Sequence, residues 1–191
     1  MKSKIQFVTG NKHKIEEVQT IFEKECPEFQ IMQADIPLLE LQAATLEEVA
    51  VFKIQSVMEN IVPPYFIEDA GFFVDDVCQG FPGVYSSYVM KTIGWDGILK
   101  IMAGKTNRNA HFESVIAYVD NHKAVHYFKG VNEGQVSTEA RGSSGFGFDP
   151  IFISNETPNR TFAELELNEK NIISHRRRAV NKLIEFLKNN A

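Results

Sequence analysis

Apolar residues along this chain change spacing several times, and each change marks an element. Residues 4–9 (Lys-Ile-Gln-Phe-Val-Thr) read as a first strand that ends at Gly10-Asn11. Ile15, Val18, Ile21 and Phe22 then recur at helical spacing, and Cys26-Pro27 stops that helix. Residues 28–33 give a short second strand. Thr45-Leu46-Glu47-Glu48 has the form of a capping box, which predicts a helix to about Asn60, closed off by Pro63-Pro64. Tyr65-Phe66-Ile67 is a short apolar strand leading into Glu68-Asp69 and a flexible Ala70-Gly71 turn. A helical stretch is expected over 86–103, ended by Gly104. Residues 110–119 and 123–131 predict a hairpin that turns at Asp120-Asn121-His122. Ser174 is the expected N-cap of a last helix that runs to about Lys188 and packs through Ala179, Leu183, Phe186 and Leu187. Strands alternating with helices, followed by a long hairpin, predict an α/β fold with a mixed sheet flanked by helices. No repeat, low-complexity run or linker interrupts it, so residues 1–191 are expected to be a single domain.

Composition narrows the class rather than the function. With 191 residues, 43% hydrophobic and 24% charged, the chain can bury one sizeable core or two lobes sharing a sheet. A net charge of −5 argues against a general nucleic-acid binder. Cys26 and Cys78 have neither metal-ligand spacing nor the look of a disulfide framework. No apolar run approaches membrane-spanning length and no signal core opens the chain, which points to a cytoplasmic protein with no membrane partner.

Four segments carry chemistry. Thr9-Gly10-Asn11-Lys12-His13-Lys14 sits at a strand-to-helix turn, where backbone N–H groups and the positive end of the dipole favour an anion. Cations in a first helical turn oppose that dipole, unless a polyphosphate binds there. The glycine spacing of a Walker loop is absent. Glu68-Asp69-Ala70-Gly71 follows an apolar strand. Neighbouring strand residues point to opposite faces, so one carboxylate enters a given site, and Asp69 is the better candidate for catalysis. Glu40 in the Leu38-Leu39-Glu40-Leu41 loop is its candidate partner, with Glu68 as a further metal ligand to weigh. Hard oxygen donors near phosphates suit Mg²⁺. In Ser143-Ser144-Gly145-Phe146-Gly147-Phe148-Asp149-Pro150, two glycines allow close backbone approach, two aromatics offer flat faces and Asp149 accepts hydrogen bonds. That set fits a heteroaromatic ring, although by itself it reads equally as a buried loop. Last, Lys170 precedes Ser174-His175-Arg176-Arg177-Arg178, again with cations in a first helical turn where acids are preferred.

Taken in order, these segments resemble the inosine triphosphate pyrophosphatase family, whose members hydrolyse non-canonical purine nucleoside triphosphates (ITP, dITP, XTP) to monophosphate and diphosphate. The matching pieces are Thr9-Gly10-Asn11-x-x-Lys14, Glu68-Asp69-Ala70-Gly71, Gly80-Phe81-Pro82-Gly83-Val84-Tyr85-Ser86, Gly145-Phe146-Gly147-Phe148-Asp149-Pro150, and Lys170-Asn171 with Ser174-His175-Arg176. The resemblance implies an elongated mixed β-sheet flanked by helices, two lobes with a central active-site cleft, and a homodimer. It assigns the polyphosphate to Thr9, Asn11, Lys14 and the mid-helix Lys53, catalysis to Asp69, and the metal, Mg²⁺, to Asp69 with Glu40. It stacks the base on Phe146 and surrounds its edges with Asp149, Lys170, His175 and Arg176. Position 148, often Trp in the family, is Phe here, and serines stand at 86 and 87 where some relatives carry Lys or Arg. A related septum-inhibitor-type pyrophosphatase acting on modified pyrimidine triphosphates is the alternative enzyme; a nucleotide sensor without turnover is the alternative outside catalysis. Donors from His175 and Arg176 facing the purine six-position would reject adenine, whose amino group sets donor against donor.

Overall fold

The computed structural model describes residues 2–39 and 41–190. Seven strands form one mixed sheet: β1 (Ser3–Val8), β2 (Phe29–Ala34), β3 (Tyr65–Val74), β4 (Pro82–Gly83), β5 (Asn109–Val119), β6 (Val125–Val136) and β7 (Phe152–Ser154). Their order is β2-β1-β3-β5-β6-β7, with β4 paired to β3. β1 is parallel to both β2 and β3, whereas β3–β4 and β6–β7 are antiparallel. Among the described residues six α-helices accompany the sheet: α1 (Lys12–Glu25), α2 (Leu46–Val57), α3 (Ser86–Lys91), α4 (Gly94–Ile101), α5 (Leu167–Ile173) and α6 (His175–Asn189).

The chain divides into two compact units. One holds residues 1–69, 114–130 and 176–191; the other holds 70–113 and 131–175. Each has its own core. In the first, Ile15, Val18, Ile21 and Phe22 of α1 and Ala179, Leu183 and Leu187 of α6 pack with Ile5 and Phe7 of β1. In the second, Phe72, Phe112, Phe148, Phe152 and Phe162 form an aromatic cluster. Strands β3, β5 and β6 each pass from one unit into the other, at Asp69-Ala70, Glu113-Ser114 and Gly130-Val131.

The α/β class, the first four elements and the hairpin follow the sequence pattern. Three readings differ. Ala70-Gly71 is not a turn, because β3 continues through it to Val74. The glycine is needed there for close approach: a Cβ on Gly71 would lie 2.6 Å from the Gly83 carbonyl oxygen of β4. The stretch 86–103 is two helices, broken where Gly94 takes φ +62°, a left-handed conformation that glycine adopts without cost. β6 runs on to Val136, and the short elements β7 and α5 carry no periodic signal long enough to read. Ser174 closes α5, its N–H donating to the Lys170 carbonyl at 2.9 Å, and it also stands directly before α6, at the N-cap position expected of it.

Candidate active site

The first unit gathers acids and cations around the end of its share of β3. Asn11 caps α1: its Oδ1 accepts from the N–H groups of His13 (3.0 Å) and Lys14 (3.3 Å), while its own N–H donates to Thr9 Oγ1 at 3.1 Å. Two donors of the predicted anion turn are therefore bonded to Asn11. Gly10, Lys12 and His13 are exposed on this turn, and Thr9 is buried. Lys14 reaches across to β3, with its Nζ 2.8 Å from Glu68 Oε2 and 3.1 Å from the Glu68 carbonyl.

Glu68 and Asp69 have unlike surroundings. Glu68 is fully buried, with Oε1 accepting from Ser114 Oγ at 2.6 Å and from Arg176 Nε at 3.2 Å. Burial disfavours its charged form, but Arg176 and Lys14, with hydrogen bonds from Lys14 and Ser114, outweigh that and hold the carboxyl far below the usual glutamate range. Asp69 keeps 17% of its side chain exposed and bonds through Oδ2 to Lys53 Nζ at 3.2 Å; Lys53 is buried on α2. Strand alternation accounts for the split. Arg176, at the start of α6 and 2% exposed, also pairs through Nη1 with Glu17 of α1. Its neighbour Arg177 turns instead to Glu25 at 2.9 Å. The sequence expectation of Arg176 as a donor to a purine edge thus meets an arginine engaged by two buried acids.

Aromatic and charged groups come together in the second unit. Gly145 and Gly147 take φ +75° and +64°, and the tight loop brings the Phe146 N–H to Asp149 Oδ2 at 2.8 Å. Lys170 of α5 donates to the same oxygen at 2.6 Å and sits 4.8 Å over the Phe146 ring. Asp149 and Lys170 are both nearly inaccessible to solvent, whereas Phe146 and Gly147 are half-buried. Phe148 belongs to the core, stacked on Phe72 at 4.9 Å, so the two rings of the motif do different work. His175 is buried and stacks on Phe112 at 4.8 Å and 10°. Ala70 is half-buried on β3. Glu40 lies outside the described residues.

Sequence reasoning missed Glu17, Ser114 and Phe112. Glu17 left a signal, an acid on the otherwise apolar face of α1. Ser114 and Phe112 left none, being ordinary members of a buried strand.

A model of the Ham1 family matches residues 5–186. The chain is 49% identical to a dITP/XTP pyrophosphatase of Thermococcus kodakarensis over 98% of each chain. It is 44% identical to one of Pyrococcus horikoshii, again over 98% of each. Among solved structures it is similar to the Staphylococcus aureus Ham1 protein, with TM-score 0.84 and 28% identity, covering 99% of this chain and 100% of that one. A HAM1 protein from Coxiella burnetii gives TM-score 0.83 at 30% identity, with 98% and 99% covered.

Proposed function

The chain belongs to the Ham1 family, and from that premise we propose that it hydrolyses non-canonical purine nucleoside triphosphates (dITP, ITP, XTP) to the monophosphate and diphosphate, a house-cleaning reaction on the nucleotide pool. Relatives named dITP/XTP pyrophosphatase, similar over nearly their whole length, support the activity. One observation carries its chemistry: adjacent carboxylates in opposite settings, Glu68 buried and held by Lys14, Arg176 and Ser114, and Asp69 partly exposed beside Lys53. Asp69 is assigned as the base that accepts a proton from the attacking water. Lys14 and Lys53 are assigned to phosphate oxygens, with Thr9 and Asn11 shaping the turn beside them. Glu68 is assigned as the anchor that keeps Lys14 in place.

Mg²⁺ is assigned to Asp69 with Glu40, since this ion takes one or two protein carboxylates and keeps its waters. Glu68 fits poorly as a ligand because both its oxygens already meet cations. When bound, Mg²⁺ neutralises charge on the phosphates. Phe146 is assigned to stack on the base, with Asp149 and Lys170 fixing its edge and His175 donating toward the six-oxo group. Adenine would leave such donors unpaired, at about 1–3 kcal/mol apiece.

The deciding experiment measures diphosphate released from a panel of triphosphates with and without Mg²⁺. Release from dITP, ITP and XTP but not ATP, only with the metal, is expected. Orthophosphate without diphosphate, or equal turnover of ATP, would overturn the reading. Exposed Phe81, Tyr85, Tyr88 and Ile93 in the second unit support a homodimer, which sedimentation can test. Among the described residues no helix is long and apolar enough to cross a membrane, in keeping with the cytoplasmic setting proposed for this reaction.

A further inference from the structure

Apart from the residues assigned to nucleotide hydrolysis, three strands of the second unit bring one imidazole and two carboxylates together. Asp75 directly follows β3, His111 lies on β5 and Glu133 on β6. One potential ligand atom from each lies within 4.8 Å of the other two. Among the described residues no other group of three or more His, Cys, Asp or Glu side chains comes together in this way.

The scaffold beneath them is set by backbone hydrogen bonds. The Asp75 N–H donates to Asn109 O at 3.0 Å, and Asn155 N–H donates to Glu133 O at 3.0 Å. Asp120 N–H to Ala124 O (3.0 Å) and Val136 N–H to Arg108 O (2.8 Å) pin the β5–β6 hairpin at both ends, in a register that puts His111 across from Glu133. Side chains facing across an antiparallel pair are near neighbours. The imidazole is oriented as well, lying on the Phe73 ring at 4.7 Å with only 3° between the planes. Its Nδ1 is 2.7 Å from Asp75 Oδ1, and its Nε2 is 3.9 Å from Glu113 Oε2. His111 and Asp75 retain 21% and 30% side-chain exposure, so an ion can reach them from solvent.

We propose that Asp75, His111 and Glu133 bind a divalent transition-metal cation of the zinc or cobalt type, which clamps three strands of the second unit together. An imidazole nitrogen suits such ions, whereas Mg²⁺ takes oxygen, so this site is chemically distinct from the one assigned at Asp69. Three protein ligands leave at least one coordination position for water. An ionised carboxylate can only accept, so the proton between His111 and Asp75 sits on Nδ1, and a metal bound at that nitrogen replaces it. Glu113 is then placed as the acceptor toward which Nε2–H turns, the usual second partner of a metal-bound histidine.

The test uses the untagged full chain, stripped with a chelator and titrated with Co²⁺, read by visible absorption and by equilibrium dialysis. The wild-type chain and Asp69→Asn are expected to take up one Co²⁺ each with submillimolar affinity. His111→Ala and Glu133→Gln should bind at least about tenfold more weakly. Glu133 is exposed, so its substitution keeps the test valid if His111→Ala folds poorly. Zn²⁺ should also raise the thermal midpoint of the wild-type chain and leave that of Glu133→Gln nearly unchanged. Uptake undiminished in both variants, or no submillimolar uptake by the wild-type chain, overturns the site.

Discussion

Asp69 keeps a sixth of its side-chain surface and bonds to the Lys53 ammonium in a partly open position. Replacing it with Asn preserves shape but removes the proton acceptor and a hard metal ligand. Turnover should fall by about 10²–10⁴-fold with the thermal midpoint little changed. Arg176 presents the opposite case. Its guanidinium is sealed between Glu17 and Glu68, and Arg176→Ala would leave two buried carboxylates without it. Losing one partner of a buried ion pair costs about 3–5 kcal/mol, measurable by urea unfolding. Turnover of ITP and of any residual ATP should fall together. A loss confined to ITP, with stability unchanged, would return Arg176 to base recognition. Glu68 links the site to pH. Its folded-state carboxyl titrates below the ordinary glutamate value of 4.5, so the unfolded chain binds the proton more tightly. The stability it contributes is complete above that value and is lost as pH falls toward the lower folded-state value. Glu68→Gln should therefore flatten the acid limb of stability against pH, at a cost near neutrality.

Elements were legible where their signals are local. The capping box closes as read: Glu48 N–H donates to Thr45 Oγ1 at 3.2 Å, and Glu48 Oε2 accepts from Thr45 N–H at 3.3 Å. The apolar face of α1 is buried residue for residue. Gly71 shows where local reading fails. Next to an acid pair it suggests a turn, yet its role is to let β4 approach β3. Gly71→Ala should destabilise the fold by about 1–3 kcal/mol, since the obstructing atom is a backbone oxygen that cannot swing aside. A thermal melt followed by circular dichroism checks this; an unchanged midpoint would mean that β4 shifts without cost.

For the whole molecule, two cores imply two stabilities. Phe152 is fully buried and meets Phe72, Phe112 and Phe162 edge-on. Phe152→Ala should cost about 3–5 kcal/mol. Amide exchange should then quicken first in residues 70–113 and 131–175, with α1 and α6 following later. Uniform acceleration along the chain would show that both units open as one.

The sequence by itself determined the α/β class, most element positions, and the ordered motifs that carry the family and its activity. Those depend on residue type and on spacings of a few positions, so periodicity, caps and breakers reveal them. The tertiary structure alone decided which charges meet. Arg176 and Glu17 are 159 positions apart, Glu68 and Arg176 are 108 apart, and Asp75, His111 and Glu133 gather from the end of β3, from β5 and from β6. Nothing in the spacing of Phe146 and Phe148 tells the half-buried ring from the core one. A side chain's partners and burial follow from which strands and helices become neighbours, and that is settled only when the whole sheet assembles around its two cores.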